Sequence, residues 1–268
     1  MLQKMAESRN SAAATTVLLF GASNLTLGWS AVIRQLQQQL PGRLNVHCLL
    51  GMGRSWIRPS RYGVRVLPGI LQSEFWDGEF LDKASCGIHA KVLLTDIGND
   101  IIYGFTAEQI TAAVLQTIQR IRGHREQSDF VLTRPPMNSL RTLSSFRFAV
   151  ARRLLFPGSM LTMQHVLDCA HELDERILAL GRQEQIAVVE PRAEWYGWDP
   201  IHVRRGHREA AFAEMMAGWS AAEQRNDCRA DAVLCPQLPT AALQIRFGRE
   251  LRVPQPVYRH ASLQISAW

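Results

Sequence analysis

Lysine is almost missing from this chain: only three of its 30 basic residues are lysines, and the rest are arginines. The formal charge is +6 over 268 residues, but the arginines are dispersed, apart from pairs such as Arg152-Arg153 and Arg204-Arg205. No basic stripe interleaved with aromatics occurs, so an arginine-rich surface is expected and a nucleic-acid partner is not. No apolar run approaches the roughly 18 residues of a membrane span, so no membrane partner is expected either. The five cysteines, at 48, 86, 169, 228 and 235, are odd in number and contain no C-x-x-C. A disulfide framework and a zinc site are therefore not expected. G-x-S-x-G, H-E-x-x-H, Walker A and G-x-G-x-x-G are also missing, which removes the usual α/β-hydrolase, zinc-peptidase, P-loop and dinucleotide readings. No metal or organic cofactor is expected.

What is present is an apolar content of 47% with 20% charged residues, enough for a sizeable core. Lys4, Arg9 and the stretch from Ala12 to Phe20 superficially resemble a secretion signal. Cleavage after Ala14 or Ala22 would damage or remove the first strand, so a cytoplasmic location is expected. Five short apolar runs, at 16–20, 44–50, 90–95, 129–133 and 186–189, look like strands buried on both faces.

Helical stripes alternate with these runs. Leu25, Trp29, Val32, Ile33, Leu36 and Leu40 form one, and Ile110, Val114, Ile118 and Ile121 a second, behind a Thr106-x-x-Gln109 capping box. Val166, Ala170, Leu173, Ile177 and Leu180 form the third, and Phe212, Met215, Met216 and Trp219 the fourth. This rhythm predicts a flavodoxin-like three-layer α/β/α fold with a five-stranded parallel sheet in the order 2-1-3-4-5. Residues 51–89 and 135–165 depart from it, the latter placed to form a lid or partner surface. The expected division is an N-terminal segment 1–15, a domain 16–227 and a C-terminal extension 228–268 packed on it.

Four pieces follow, or lie near the end of, strand-like runs, where open α/β sheets bind ligands. Ser23, in Gly21-Ala22-Ser23, stands between the first strand and first helix, where a hydroxyl can be exposed as a nucleophile. His202 in Asp199-Pro200-Ile201-His202 supplies a base, with Asp199 to fix its tautomer. Gly53 offers an unobstructed backbone N–H, and Asn99 in Gly98-Asn99-Asp100 a side-chain amide, as oxyanion donors. A second D-x-x-H, Asp168 to His171, falls inside a helical stripe and reads as a solvated face.

This ordered set resembles the SGNH hydrolases, or GDSL-type esterases and lipases, over residues 16 to about 225. The first block carries Ala22 where the family usually has aspartate. The second maps to Gly53, with Gly51 as competitor, and the third lacks its spacer residue. The resemblance implies an SGNH fold and a serine ester hydrolase working through an acyl-enzyme. In it Ser23, Asp199 and His202 are catalytic, and Ser23, Gly53 and Asn99 form the oxyanion hole. Arg54, Trp56, Tyr103 and Arg134 are the expected substrate contacts, with Trp29 and Arg58 as further candidates for the pocket wall. A small-molecule or saccharide ester is the expected partner, short-chain acetyl esters first. An SGNH-type acyltransferase and a catalytically silent binding module are the alternatives, and homo-oligomer formation is left open.

Overall fold

Strand β1 (Thr15–Phe20) is buried along its length because it lies between two helical layers. Leu18 and Phe20 pack to one side of it, Val17 and Leu19 to the other. The structure is a computed structural model and describes residues 14–78, 89–155, 161–219 and 234–268. The expected boundary at 227/228, Cys86, Cys228 and nearly all of the expected N-terminal segment lie outside the described residues.

The chain continues through α1 (Ser23–Leu27), α2 (Trp29–Gln39) and β2 (Leu44–Leu49). A hairpin follows, β3 (Ser60–Tyr62) and β4 (Arg65–Leu67), then two 3-10 turns, Ile70–Gln72 and Glu74–Asp77. After β5 (Ala90–Leu94) come α3 (Asn99–Ile102), α4 (Ala107–His124) and β6 (Ser128–Thr133). The segment expected as a lid forms α5 (Met137–Arg141) and α6 (Ser145–Leu155), ahead of α7 (Met163–Gln183) and β7 (Ala187–Val189). Helix α8 (Arg208–Ala217) precedes the last strands, β8 (Leu243–Arg246), β9 (Arg249–Arg252), β10 (Tyr258–Arg259) and β11 (Leu263–Ala267).

The fold is α/β with a mainly parallel sheet, but among the described residues that sheet has seven strands where five were expected. Its order is β10-β11-β2-β1-β5-β6-β7, with only β10 antiparallel. The five expected segments are consecutive neighbours inside it. The extra pair comes from the proline-bearing tail, whose β11 runs parallel to β2, Leu263 opposite Leu44. Without it the edge of β2 would present unpaired backbone groups. A second sheet, β3-β4-β8-β9, joins the long crossover after β2 to the tail.

Helices α4 and α7 cover one face of the large sheet, while α2 and α8 cover the other. Each fully buried Leu or Phe in these layers is worth about 1.5–3 kcal/mol. The capping box at α4 forms in full: Thr106 Oγ1 accepts from Gln109 N–H and Gln109 Oε1 from Thr106 N–H. Among the described residues no helix is long and apolar enough to cross a membrane.

Candidate active site

The turn from β1 into α1 is tight because Gly21 lets it be. A Cβ at Gly21 would stand 2.7 Å from Thr95 Cγ2 and 2.9 Å from Leu25 Cδ1. Ser23 therefore opens α1 at the carboxyl end of the sheet, only 4% exposed. The first helical stripe is broken at Gly28, whose absent side chain leaves room for the Phe212 ring of α8.

Beyond β2 the chain reaches Gly53 in a left-handed conformation, φ +64°, which disfavours any side chain there. Its carbonyl accepts a 2.5 Å hydrogen bond from the Tyr103 hydroxyl. Burial, reinforced by the nearby Asp100 charge, pushes the Tyr103 phenol up to about 12, so it keeps the proton it donates.

Asn99 opens α3 just past β5. Its amide Nδ2 is buried and has no hydrogen-bond partner among the described residues. Asp100 turns the other way, fully buried, and accepts from Ser55 Oγ and from Trp56 N–H at 2.8 Å. Ser55 Oγ in turn accepts the N–H groups of Ile57 (3.0 Å) and Arg58 (3.1 Å). Asp100 thereby ties the Gly53 loop to the segment that carries Asn99. Burial raises its pKa to about 6 in spite of these bonds.

His202 meets Asp199 through Nδ1, 2.6 Å from Oδ2. Asp199 Oδ1 accepts the N–H groups of Ile201 (3.0 Å) and His202 (3.2 Å). Burial pushes Asp199 up, but the bond and charge of His202 and the two N–H groups outweigh it and hold the carboxylate below its ordinary range. With Nδ1 engaged, Nε2 is the ring atom left for proton transfer.

Ser23, Gly53, Asn99 and His202 border one small pocket together with Met52, Tyr62 and Ile201. Gly53 rather than Gly51 reaches it. Asn24 braces the arrangement: its Nδ2 donates to Ile201 O (2.9 Å), and its Oδ1 accepts from Val203 N–H (2.8 Å). Asp96 holds Asn24 in turn. Sequence reasoning passed over both residues, although an amide just after Ser23 and a carboxylate just past a buried strand were visible signals.

The expected substrate contacts fare differently. Arg54 and Trp56 are fully buried and do not line the pocket. Arg54 turns Nε to the carbonyl of Pro68 (3.1 Å) and Nη1 to those of Leu50 (3.4 Å) and Trp268, while its buried Nη2 has no hydrogen-bond partner among the described residues. Trp56 packs in the core on the α4 side. Tyr103 holds the Gly53 loop. Arg134 makes a two-pronged ion pair with Asp174 (2.7 and 2.6 Å) and another with Glu190 (2.7 Å). Trp29 is buried against α8, while Arg58 is exposed over the Tyr103 ring. The second D-x-x-H lies on α7, where Asp168 bonds Gln164 one turn away. Among the described residues no three His, Cys, Asp or Glu side chains gather as a metal site would require.

No family model matches the chain, and no curated protein matches it in sequence. Solved structures that it resembles include a GDSL-like lipase from Parabacteroides merdae, at 12% identity and a TM-score of 0.48, covering 76% of this chain and 94% of that one. A carbohydrate esterase family 2 enzyme with a carbohydrate-binding domain, from Corynascus thermopiles, has 15% identity and a TM-score of 0.46, covering 77% and 66%. An extracellular lipase from Streptomyces rimosus has 9% identity and the same TM-score, covering 77% and 100%. Likeness of this degree is one of general shape.

Proposed function

We propose that this chain is a serine ester hydrolase of the SGNH kind, acting through an acyl-enzyme. The observation that carries the reading is one pocket bordered by a serine, a histidine held by a carboxylate, and an amide nitrogen buried without a partner. A buried, unpaired donor costs about 1–3 kcal/mol, a cost that makes sense if the donor is kept for charge that develops during reaction.

In this reading Ser23 Oγ attacks the ester carbonyl carbon while its proton passes to His202 Nε2. The carbonyl oxygen becomes an oxyanion, held by Asn99 Nδ2 and the N–H groups of Ser23 and Gly53. The carbon–oxygen bond to the alcohol then breaks, and the alcohol takes the proton from His202. Water repeats the sequence: His202 accepts its proton, the hydroxide adds to the acyl carbon, and Ser23 leaves with the proton returned. Asp199 keeps the ring oriented and stabilises its charged form throughout.

The test is hydrolysis of p-nitrophenyl acetate and butyrate by the purified chain and its Ser23→Ala variant. The expected loss in kcat is on the order of 10⁴-fold. A fluorophosphonate should label the parent at Ser23 and leave the variant unlabelled. A variant that hydrolyses at the parent rate would sink the assignment.

A further inference from the structure

A second, larger pocket opens beside the first and shares two of its walls, Asn99 and Ile201. Counting the open solvent at their mouths, it spans about 1080 Å³ against about 270 Å³. Helices α3, α5, α6 and α7 line it with Ile101, Leu140, Phe148, Val166 and Ala170, joined by Leu143 from the turn between α5 and α6. Its charged neighbours are already engaged. Asp96 is bonded to the Ser23 turn, and Arg134 to Asp174 and Glu190. A saccharide or an anion would find little to bind there, whereas an alkyl chain would find a nearly continuous apolar wall.

We infer that this pocket holds the acyl chain of a medium- to long-chain ester, an inference that rests on Ser23 being the residue acylated. The side of entry follows from proton transfer. The leaving alcohol must take its proton from His202, and His202 borders only the smaller pocket. The acyl group therefore extends the other way, past Asn99 and Ile201. An acetyl group would leave the apolar space unused. The covering helix is coupled to the base as well, because Arg147 of α6 donates to the carbonyls of Gly197 (2.7 Å) and Trp198 (2.5 Å), just ahead of Asp199.

The purified chain is assayed with p-nitrophenyl esters from acetyl to dodecanoyl. Each methylene moved into the pocket is worth roughly threefold in kcat/KM, so the octanoyl ester, with six more methylenes than the acetyl ester, should exceed it by up to about 10³-fold before the gain levels off. Leu167, half-buried on the same wall, is replaced by Trp to shorten the space. The decanoyl-to-acetyl ratio should then fall about tenfold, with Ile102→Trp as the second variant if the first does not fold. In parallel, equilibrium dialysis measures decanoate binding to Ser23→Ala and to Ser23→Ala combined with Leu167→Trp, which should bind it more weakly. An acetyl optimum without decanoate binding overturns the acyl pocket and leaves the hydrolase reading standing. Decanoate binding without hydrolysis of any ester overturns the hydrolase reading and with it the acyl assignment, leaving an alkyl-chain site alone.

Discussion

Asp96 and Asn24 are joined by two hydrogen bonds at the foot of the Ser23 turn. Asp96 Oδ1 accepts from the Asn24 side-chain amide (2.6 Å), and Oδ2 from the Asn24 backbone N–H (3.0 Å). Oδ2 also takes the Ala22 N–H at 2.8 Å. Asn24 passes the restraint on to the residues either side of His202. One carboxylate and one amide thus couple the Ser23 turn to the His202 loop. Ala22 has no side-chain oxygen to brace the turn, and the carboxylate that does so comes from two residues past β5.

Asp96→Asn is the informative substitution. Asp96 sits at φ +57°, a conformation that asparagine also tolerates, so the change replaces acceptor oxygen by donor nitrogen with little backbone penalty. At least one of the three donors then loses its partner, at a stability cost of about 1–3 kcal/mol. If Asp96 positions Ser23 and His202 relative to each other, kcat should fall about 10–100-fold with KM nearly constant. Lower thermal stability with kcat intact in the folded enzyme would reduce Asp96 to a structural brace.

Asn99→Ala should separate activity from stability. The amide has no partner to lose among the described residues, so its removal relieves a buried unsatisfied donor. The melting temperature should hold or rise. The rate should nevertheless drop about 10²–10³-fold, the usual effect of removing one oxyanion donor. A parallel fall in both quantities would show that the amide has a structural partner after all.

Arg54 supports the opposite expectation. It is buried completely, and burial lowers its pKa to about 9. Arg54→Ala leaves one buried and two part-buried carbonyls without their donor and opens a large void, so a loss of about 3 kcal/mol or more is expected in denaturant unfolding. The KM of the folded variant for an acetyl ester should stay within about twofold of the parent, because the guanidinium is not a pocket wall. A large rise in KM with stability preserved would restore it to the substrate site.

What was legible in the sequence was local or doubly buried. The runs that became β1, β2, β5 and β6 are apolar on both faces, and the α4 capping box is a four-residue pattern. Asp199 and His202 are close enough in sequence for their pairing to be read from spacing. The strands β3, β4 and β9 were not legible, since runs such as Arg65–Leu67 and Arg249–Arg252 are too short and too basic to alternate. Strand β11 pairs with β2 across more than 200 residues, and nothing in a proline-spaced tail announces that partner. Arg54 and Trp56 misled for a physical reason: a charge or an indole beside a strand end suggests a ligand contact, whereas here carbonyls and core packing absorb them. The bonds of Asp96 and Asn24 are non-local too, and only folding brings their partners together.

The pH dependence of stability should contain two opposing contributions of similar size. Burial, reinforced by the Arg125 charge, lowers His47 to about 4, whereas an unfolded histidine titrates near its ordinary value of about 6.5. Between those values the unfolded chain binds the extra proton, so the contribution of His47 is present above about 6.5 and is lost as pH falls toward 4. Asp100 runs the other way. Its folded pKa of about 6 exceeds its unfolded value, so its contribution is complete below about 4 and is lost as pH rises through 6. Each amounts to on the order of 3 kcal/mol, and together they nearly cancel between pH 4 and 6. His47→Gln should therefore make stability fall with rising pH in that window relative to the parent, and Asp100→Asn should make it rise. Chemical denaturation at half-unit pH steps measures both slopes. Parallel curves for the parent and either variant would show that the residue replaced titrates alike in the folded and unfolded chains.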